Sequence, residues 1–312
     1  AWQPASLRCD EWMTLPRLTT KVPPVHPPQP RNSFSRRVQS DGPMIAVELR
    51  PPRTDLGDDA SRDAWMGLNS SVRRLLARGT PMLLTDGAVG TAEEENLHHL
   101  VTNLDEDAPR ELVCPFLTTK HTLEYCEWYA ARALDARCDS LTVLGGDKHV
   151  GAPRCVPHGY VLRQHLRERY PELQLGAWAN PHRGLDEQAD FVANSTYTAD
   201  FFLTQLVSHH DVERVQGFQD ALRARGVALP AVWGVFFYRS ANRKTLERLS
   251  QFFPIPVEAV LDDFASGMDP IEMCATTIRT LRSVGANKVY VSNLHPERAA
   301  NQLRAIVNAV ES

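Results

Sequence analysis

One carboxylate interrupts the apolar run 44–49, which ends Val47-Glu48-Leu49 and continues as Arg50-Pro51-Pro52. A carboxylate inside such a run is costly to bury unless it is paired or protonated. Burial raises its pKa and suits it to proton donation near neutrality. The competing reading of Glu48 is a structural ion pair with an arginine. Polar residues also close other apolar runs: Thr85-Asp86-Gly87, with Glu93-Glu94-Glu95 in the loop beyond it, then Pro115-Phe116-Leu117-Thr118-Thr119, Gly145-Gly146-Asp147, Asn180-Pro181-His182 and Thr204-Gln205. Each has a plain structural alternative. Asp147 could cap a helix, and Gln205 could satisfy backbone groups. The three adjacent glutamates suit a solvated helix start, where acids favour the helix dipole; the functional alternative is that one of them, Glu94, faces a cleft.

These residues need a scaffold that brings strand ends together. From Met44 onward, β-rich runs at 44–49, 82–85, 112–117, 140–144, 173–179, 201–206, 231–237 and 288–292 alternate with stretches of helical spacing at 60–78, 121–137, 161–169, 212–225 and 297–310. In the second of these stretches Leu123, Cys126, Ala130 and Leu134 fall on one helix face. The strands are nearly all apolar, as a parallel sheet covered by helices requires. Eight such units over this length predict an eight-stranded parallel TIM (β/α) barrel, whose active site forms where strands end and βα loops begin. An open doubly wound sheet is the alternative, but Pro51-Pro52 stands where its glycine fingerprint belongs.

The chain has 312 residues and a net charge of −4, which argues against a nucleic-acid coat or a polybasic membrane binder. The apolar run 228–238 is too short to cross a bilayer, so no membrane partner is expected. Six cysteines without a CxxC pair read as free thiols in a reducing, cytoplasmic setting, and closely spaced metal-ligand pairs are missing. The doublets His98-His99 and His209-His210 read as surface or capping residues, because neighbours on a helix point in different directions. Residues 1–43 hold eight of the 22 prolines and carry net +3. They read as a poorly ordered proline-rich leader ahead of a catalytic domain at 44–312.

The strand-end motifs, in this order, resemble the methylenetetrahydrofolate reductase family. Its Glu-Phe-Phe-Pro-Pro is here Glu48-Leu49-Arg50-Pro51-Pro52, its Pro-His-Leu-Thr-Cys is Pro115 to Thr119, its Leu-Arg-Gly-Asp is Leu144 to Asp147, and its Thr-Gln is Thr204-Gln205. A Pro-Gly-Ile on the seventh strand appears as Trp233-Gly234-Val235. The resemblance implies that Glu48 is the general acid that opens the five-membered ring of the folate, with Glu94 assisting. It implies that Asp147 and Gln205 hold the pterin, with Phe237 on the substrate side. Thr85, Phe116, Thr118, Gly146, His158 and Asn180 are then the positions that meet the cofactor.

The departures point within the family. Phe116 replaces a histidine, Gly145 an arginine and Asn180 a tyrosine, while Ala193 and Asn194 stand for the basic pair that meets flavin phosphates. A pyrophosphate normally needs such cationic or helix-terminal donors. The resemblance is therefore to the flavin-independent mycobacterial members, which take hydride directly from NADH or NADPH. It implies that FAD is absent and that the partners are a folate and a nicotinamide cofactor. An FAD-containing reductase, a non-catalytic folate-binding barrel and an unrelated barrel enzyme are the alternatives.

Overall fold

The protein was analysed as a computed structural model, which describes residues 32–87, 92–146 and 151–312. Eight strands run β1 (Met44–Leu49), β2 (Met82–Leu84), β3 (Val113–Thr118), β4 (Ser140–Leu144), β5 (Gln174–Ala179), β6 (Phe201–Val207), β7 (Ala231–Phe236) and β8 (Lys288–Ser292). Each pairs in parallel with the next, and β8 returns to β1, so the sheet closes into a TIM barrel. Every expected strand is present to within a residue or so of its expected ends. No helix among the described residues is long and apolar enough to cross a membrane.

The helices form the outer layer by burying one stripe each. In α2 (Asp58–Leu76), Trp65, Leu68, Val72, Leu75 and Leu76 recur at intervals of three, four, three and one and are all buried. In α4 (Leu123–Asp135), Thr122 caps the first turn by accepting from the Tyr125 amide. Its buried face is Cys126, Tyr129, Ala130 and Ala133. That face is rotated slightly from the expected one, leaving Leu123 and Leu134 only partly covered. The remaining helices are α3 (Asn96–Asn103), α5 (Gly159–Arg169), α6 (Leu185–Ala193), α7 (Val212–Ala224), α8 (Arg243–Leu249), α9 (Val257–Ala265), α10 (Pro270–Ser283) and α11 (Ala299–Glu311).

Side chains alternate across each strand, so one set fills the barrel and the other meets the helices. The inner set packs Met44, Ala46, Leu83, Cys114, Phe116, Phe201, Leu203, Val232 and Tyr290 into one cluster. Two glycines make room in it. A Cβ on Gly176 would lie 2.6 Å from the Phe201 ring, and one on Gly234 would lie 2.5 Å from the Tyr290 hydroxyl. The barrel thus holds two large rings by omitting two side chains opposite them.

The leader boundary at 43/44 needs correction. Within the expected leader, Phe34–Gln39 form a helix, α1, capped by Ser33. Its Phe34 and Val38 are fully buried and join the inner barrel cluster, with the Phe34 and Phe201 rings 5.7 Å apart. Ser35 hydrogen-bonds Asp139, just before β4, and Gln39 Nε2 donates to the Asp200 carbonyl, just before β6, at 3.0 Å. The helix therefore plugs the end of the barrel where strands begin. Proline counting missed it because the prolines crowd into 23–30, upstream of the helix. Residues 1–31, with the leader's Trp2, Trp12 and Leu15, lie outside the described residues.

Phe34→Ala should destabilise the protein by roughly 3–5 kcal/mol, the usual cost of deleting a buried aromatic ring. Urea unfolding checks it. An unchanged midpoint would mean that the plug contributes nothing to closing the barrel.

Candidate functional site

At the opposite end, where strands finish, the inward positions turn polar. Glu48 continues the inward set of Met44 and Ala46 and sits above the apolar filling. The Ser292 hydroxyl, at the end of β8, donates to Glu48 Oε1 at 2.5 Å. Burial pushes the Glu48 pKa up, the Ser292 hydrogen bond and Arg50 pull it down, and Glu93 adds to the rise. The net direction is upward, as a carboxyl held away from water requires. Beneath it, the buried Tyr290 hydroxyl donates to the Thr204 carbonyl at 2.7 Å. Burial, reinforced by Glu48, holds that phenol well above its ordinary pKa, so it stays neutral.

The three glutamates after β2 take three different roles. Glu93 turns toward the barrel mouth. Its Oε1 pairs with Arg50 Nε at 2.7 Å and its Oε2 accepts from Thr85 Oγ1 at 2.8 Å. The Glu93 side chain is 1 % exposed while Arg50 is 40 % exposed, so the carboxylate is inside and its partner reaches solvent. Glu94, the expected catalytic residue, faces away. It accepts from Trp65 Nε1 at 2.7 Å and from Ser61, both on α2, with His99 Nε2 at 3.6 Å. Burial would raise its pKa, but these donors outweigh it and the pKa falls. Glu94 thus ties α2 to α3. Glu95 caps α3 by accepting from the His98 amide. The expectation that Glu94 faces the cleft is corrected, since Glu93 is the one that turns to the mouth: consecutive extended residues alternate sides, and sequence spacing cannot say which one turns inward.

A second correction concerns Phe237. It packs in the outer cluster between strands and helices. Phe236 is the residue in register with Ser292, and it packs with Tyr238 and Phe253 instead. The expected run 231–237 put the last inward position one residue too late.

Gln205 stands at a register shift between β6 and β7, where Leu203 faces Val232 but Leu206 faces Gly234. Such bulges re-aim side chains near active sites. The Gln205 Oε1 accepts from the Leu206 amide at 3.0 Å, and the Thr204 hydroxyl donates to the Gln205 carbonyl at 2.9 Å. The carboxamide oxygen therefore serves the backbone of the bulge.

The other expected positions vary in their placement. Thr85 is buried with its hydroxyl engaged by Glu93, and Phe116 belongs to the apolar filling below the mouth. The Thr118 amide donates to Asp86 Oδ2 at 2.7 Å. The Gly146 carbonyl accepts from Arg154. Asn180 folds its own loop, with Oδ1 accepting from the His182 amide at 3.0 Å. His158 is exposed, precedes α5 and stacks on Tyr160. Asp147 lies outside the described residues.

His121, Asn96 and Ser292, near the mouth, were not singled out from sequence. Asp86 holds His121 Nε2 at 2.8 Å, and the His121 ring stacks on Tyr125 at 4.5 Å. Asn96 Nδ2 reaches the carbonyls of Leu84, Thr85 and Phe116, stitching the ends of β2 and β3. Ser292 carries no motif and is found only through strand pairing. A cleft of about 420 Å³ opens beside the mouth, lined by Arg50, Pro51, Pro52, Glu93, His295 and Glu297 among others.

The raised Glu48 pKa gives a stability test. A carboxyl whose folded pKa exceeds its unfolded value stabilises the fold below the unfolded pKa and loses that contribution as pH rises through the folded one. Glu48→Gln cannot ionise. Its melting temperature relative to the wild type should therefore increase as pH rises above the ordinary glutamate range and level off once Glu48 has ionised. A difference independent of pH would mean that Glu48 titrates like a solvent-exposed glutamate.

Comparison with known proteins adds the fold and no family. No family model matches the chain, and no curated protein matches it. Among solved structures it is similar to an uncharacterized protein from Clostridium thermocellum that binds two copies of 5-methyl-5,6,7,8-tetrahydrofolic acid. The TM-score is 0.63 at 14% identity, covering 89% of this chain and 100% of that one. Weaker overlays are with a mandelate oxidase mutant (TM-score 0.44, 12% identity, 86% of this chain and 70% of that one) and with the aldolase QR15 (0.45, 10%, 83% and 94%). At these identities the likeness to the Clostridium protein is one of fold: both chains are barrels of the same build.

Proposed function

We propose that the chain is a folate-dependent oxidoreductase that reduces methylenetetrahydrofolate to methyltetrahydrofolate, with hydride passing directly from NADH or NADPH. The observation that carries this reading is Glu48, a carboxyl on the inward face of β1 with a raised pKa and a single hydroxyl donor. The strand-end motifs support a folate as the ligand. So does the similarity in fold to a barrel that binds a reduced folate.

The chemistry follows from the surroundings of Glu48. Burial keeps its proton in place before reaction. Transfer of that proton to the departing ring nitrogen accompanies cleavage of the carbon–nitrogen bond and leaves an electrophilic iminium. Hydride from the reduced nicotinamide then converts the methylene carbon to a methyl group, leaving the nicotinamide oxidised. The carboxylate left on Glu48 is stabilised by the same Ser292 hydroxyl and Arg50 charge that pull its pKa down. Solvent returns the proton. Glu93 and Thr85 hold Arg50 at the rim, so the charge is positioned before substrate arrives. The free end of the Gln205 carboxamide is the pterin donor in this reading.

The residues that stand for the family's phosphate-binding basic pair support the flavin-free reading. Ala193 ends α6 without a polar side chain, and Asn194 Oδ1 accepts from the Thr196 amide at 2.9 Å and hydroxyl at 2.7 Å. Arg163, packed on Tyr197, directs its guanidinium to the carbonyls of Val143, Tyr197 and Thr198. Burial lowers its pKa to about 10. None of these is left to neutralise a pyrophosphate.

The purified protein should be colourless and should oxidise NADH or NADPH only when methylenetetrahydrofolate is added. A yellow protein holding stoichiometric flavin would overturn the flavin-free reading. Glu48→Gln should lower kcat by about 10²–10⁴-fold, the usual contribution of a general acid, while folate binding persists. Folate binding with no nicotinamide oxidation in the wild type would instead indicate a non-catalytic folate-binding barrel.

The two neighbouring glutamates should separate cleanly. Glu93→Gln removes the ion pair to Arg50 and should reduce kcat, whereas Glu94→Gln should lower the melting temperature and leave kcat within about threefold, since surface and inter-helix contacts act on stability rather than on the reacting atoms. Equal losses of kcat in both would remove the distinction drawn between them.

A further inference from the structure

The turn after β6 carries chemistry that the proposed reaction does not use. His209 and His210 open a short 3₁₀ turn whose first residue, Ser208, is held by Asp211. Adjacent histidines on an α-helix would diverge. On this tighter turn their rings lie 4.0 Å apart, and both reach one carboxylate oxygen on α9. Asp263 Oδ2 is 3.1 Å from His209 Nε2 and 2.8 Å from His210 Nε2. The three ligand atoms lie within 4.8 Å of one another.

Thr277 orients the His209 ring. The His209 Nδ1 is 3.1 Å from Thr277 Oγ1 on α10. The Thr277 hydroxyl also reaches the Met273 carbonyl one helical turn back, at 3.1 Å. With its hydrogen turned there, the threonine oxygen accepts from His209 Nδ1, and the Nε2 lone pair faces Asp263 Oδ2, where a metal ion would sit. An outer partner that fixes the ring tautomer is also what metal-binding histidines normally have.

We propose that His209, His210 and Asp263 bind a divalent transition-metal ion of the zinc class. Two imidazole nitrogens and a carboxylate oxygen match its preference. Tetrahedral ligands at about 2.0–2.1 Å from zinc lie roughly 3.3 Å apart, so the two histidine–Asp263 spacings of 3.1 and 2.8 Å need to open by only a few tenths of an ångström. His210 is exposed, which leaves the remaining coordination open to water. The ion would clip the β6 turn to α9, with its first ligand four residues beyond Gln205. It requires nothing of the folate reading and stands or falls without it.

The test uses the full chain, stripped with a chelator and titrated with Zn²⁺ by calorimetry and with Co²⁺ by visible absorption. One equivalent should bind saturably, and zinc-edge X-ray absorption should show two imidazoles with nitrogens at about 2.0–2.1 Å. Thr277→Val should weaken binding by about 10–100-fold, as loss of an outer partner does, and Asp263→Asn by more than that. Circular dichroism checks that the variants are folded, and the wild-type spectra decide the matter if they are not. Absence of saturable binding, or a shell containing sulfur at about 2.3 Å, would overturn the assignment. So would affinity unchanged in the folded His210→Ala variant.

Discussion

A carboxyl group inside a closed barrel has to be neutral or neutralised, and this barrel does part of each. Glu48 is held on the inward face of β1 with one hydroxyl donor and a guanidinium at the rim. Fuller pairing would make it an ordinary buried carboxylate with a low pKa and no proton to give. Less support would leave the ionised form too costly to reach at all. The intermediate arrangement raises its pKa while a hydroxyl and a nearby guanidinium still favour the ionised form, and the surrounding contacts build this balance. Thr85, Glu93 and Arg50 form a chain whose outer end is wet and whose inner end is dry. Tyr290, which cannot ionise beside it, fills the space below.

That space is controlled by what the strands leave out. Gly176 and Gly234 give up side chains so that Phe201 and Tyr290 can occupy the axis. Phe34 and Val38 close the other end. The apolar filling thus runs from the plug through the inner strand positions below Glu48. A dry floor strengthens every electrostatic contact above it. Packing and chemistry are consequently linked: an alanine at Gly234 would have to displace the Tyr290 hydroxyl and with it the hydrogen bond to Thr204.

The strands were legible because a parallel sheet covered on both faces writes itself as short apolar runs, and Glu48 was legible because it breaks one. What could not be read was direction. Phe236 and Phe237 differ by one position, and one position is the whole difference between the inner and outer faces of a strand. Glu93, Glu94 and Glu95 are identical in type, so only the path of the loop after β2 assigns the first to the mouth, the second to α2 and the third to the start of α3. Helix α1 was hidden by the prolines of the segment before it. Ser292, Asn96 and His121 form no local pattern. They matter through partners 244, 11 and 35 residues away, which only a folded chain supplies.

Gln205 shows how a structural role and a binding role can share one side chain. A bulge leaves a backbone amide without a ladder partner, and a buried amide without a partner is expensive. Here the Leu206 amide is satisfied by the Gln205 side chain itself. The same contact fixes the rotamer of the carboxamide and leaves its nitrogen as the available donor. A glutamate at 205 could still accept from Leu206, but it would offer a second acceptor where the present residue offers a donor. An alanine would leave the amide bare and the bulge unsupported. Under the proposed folate reading, backbone satisfaction and ligand binding at this position are not rivals: the first would orient the group that performs the second.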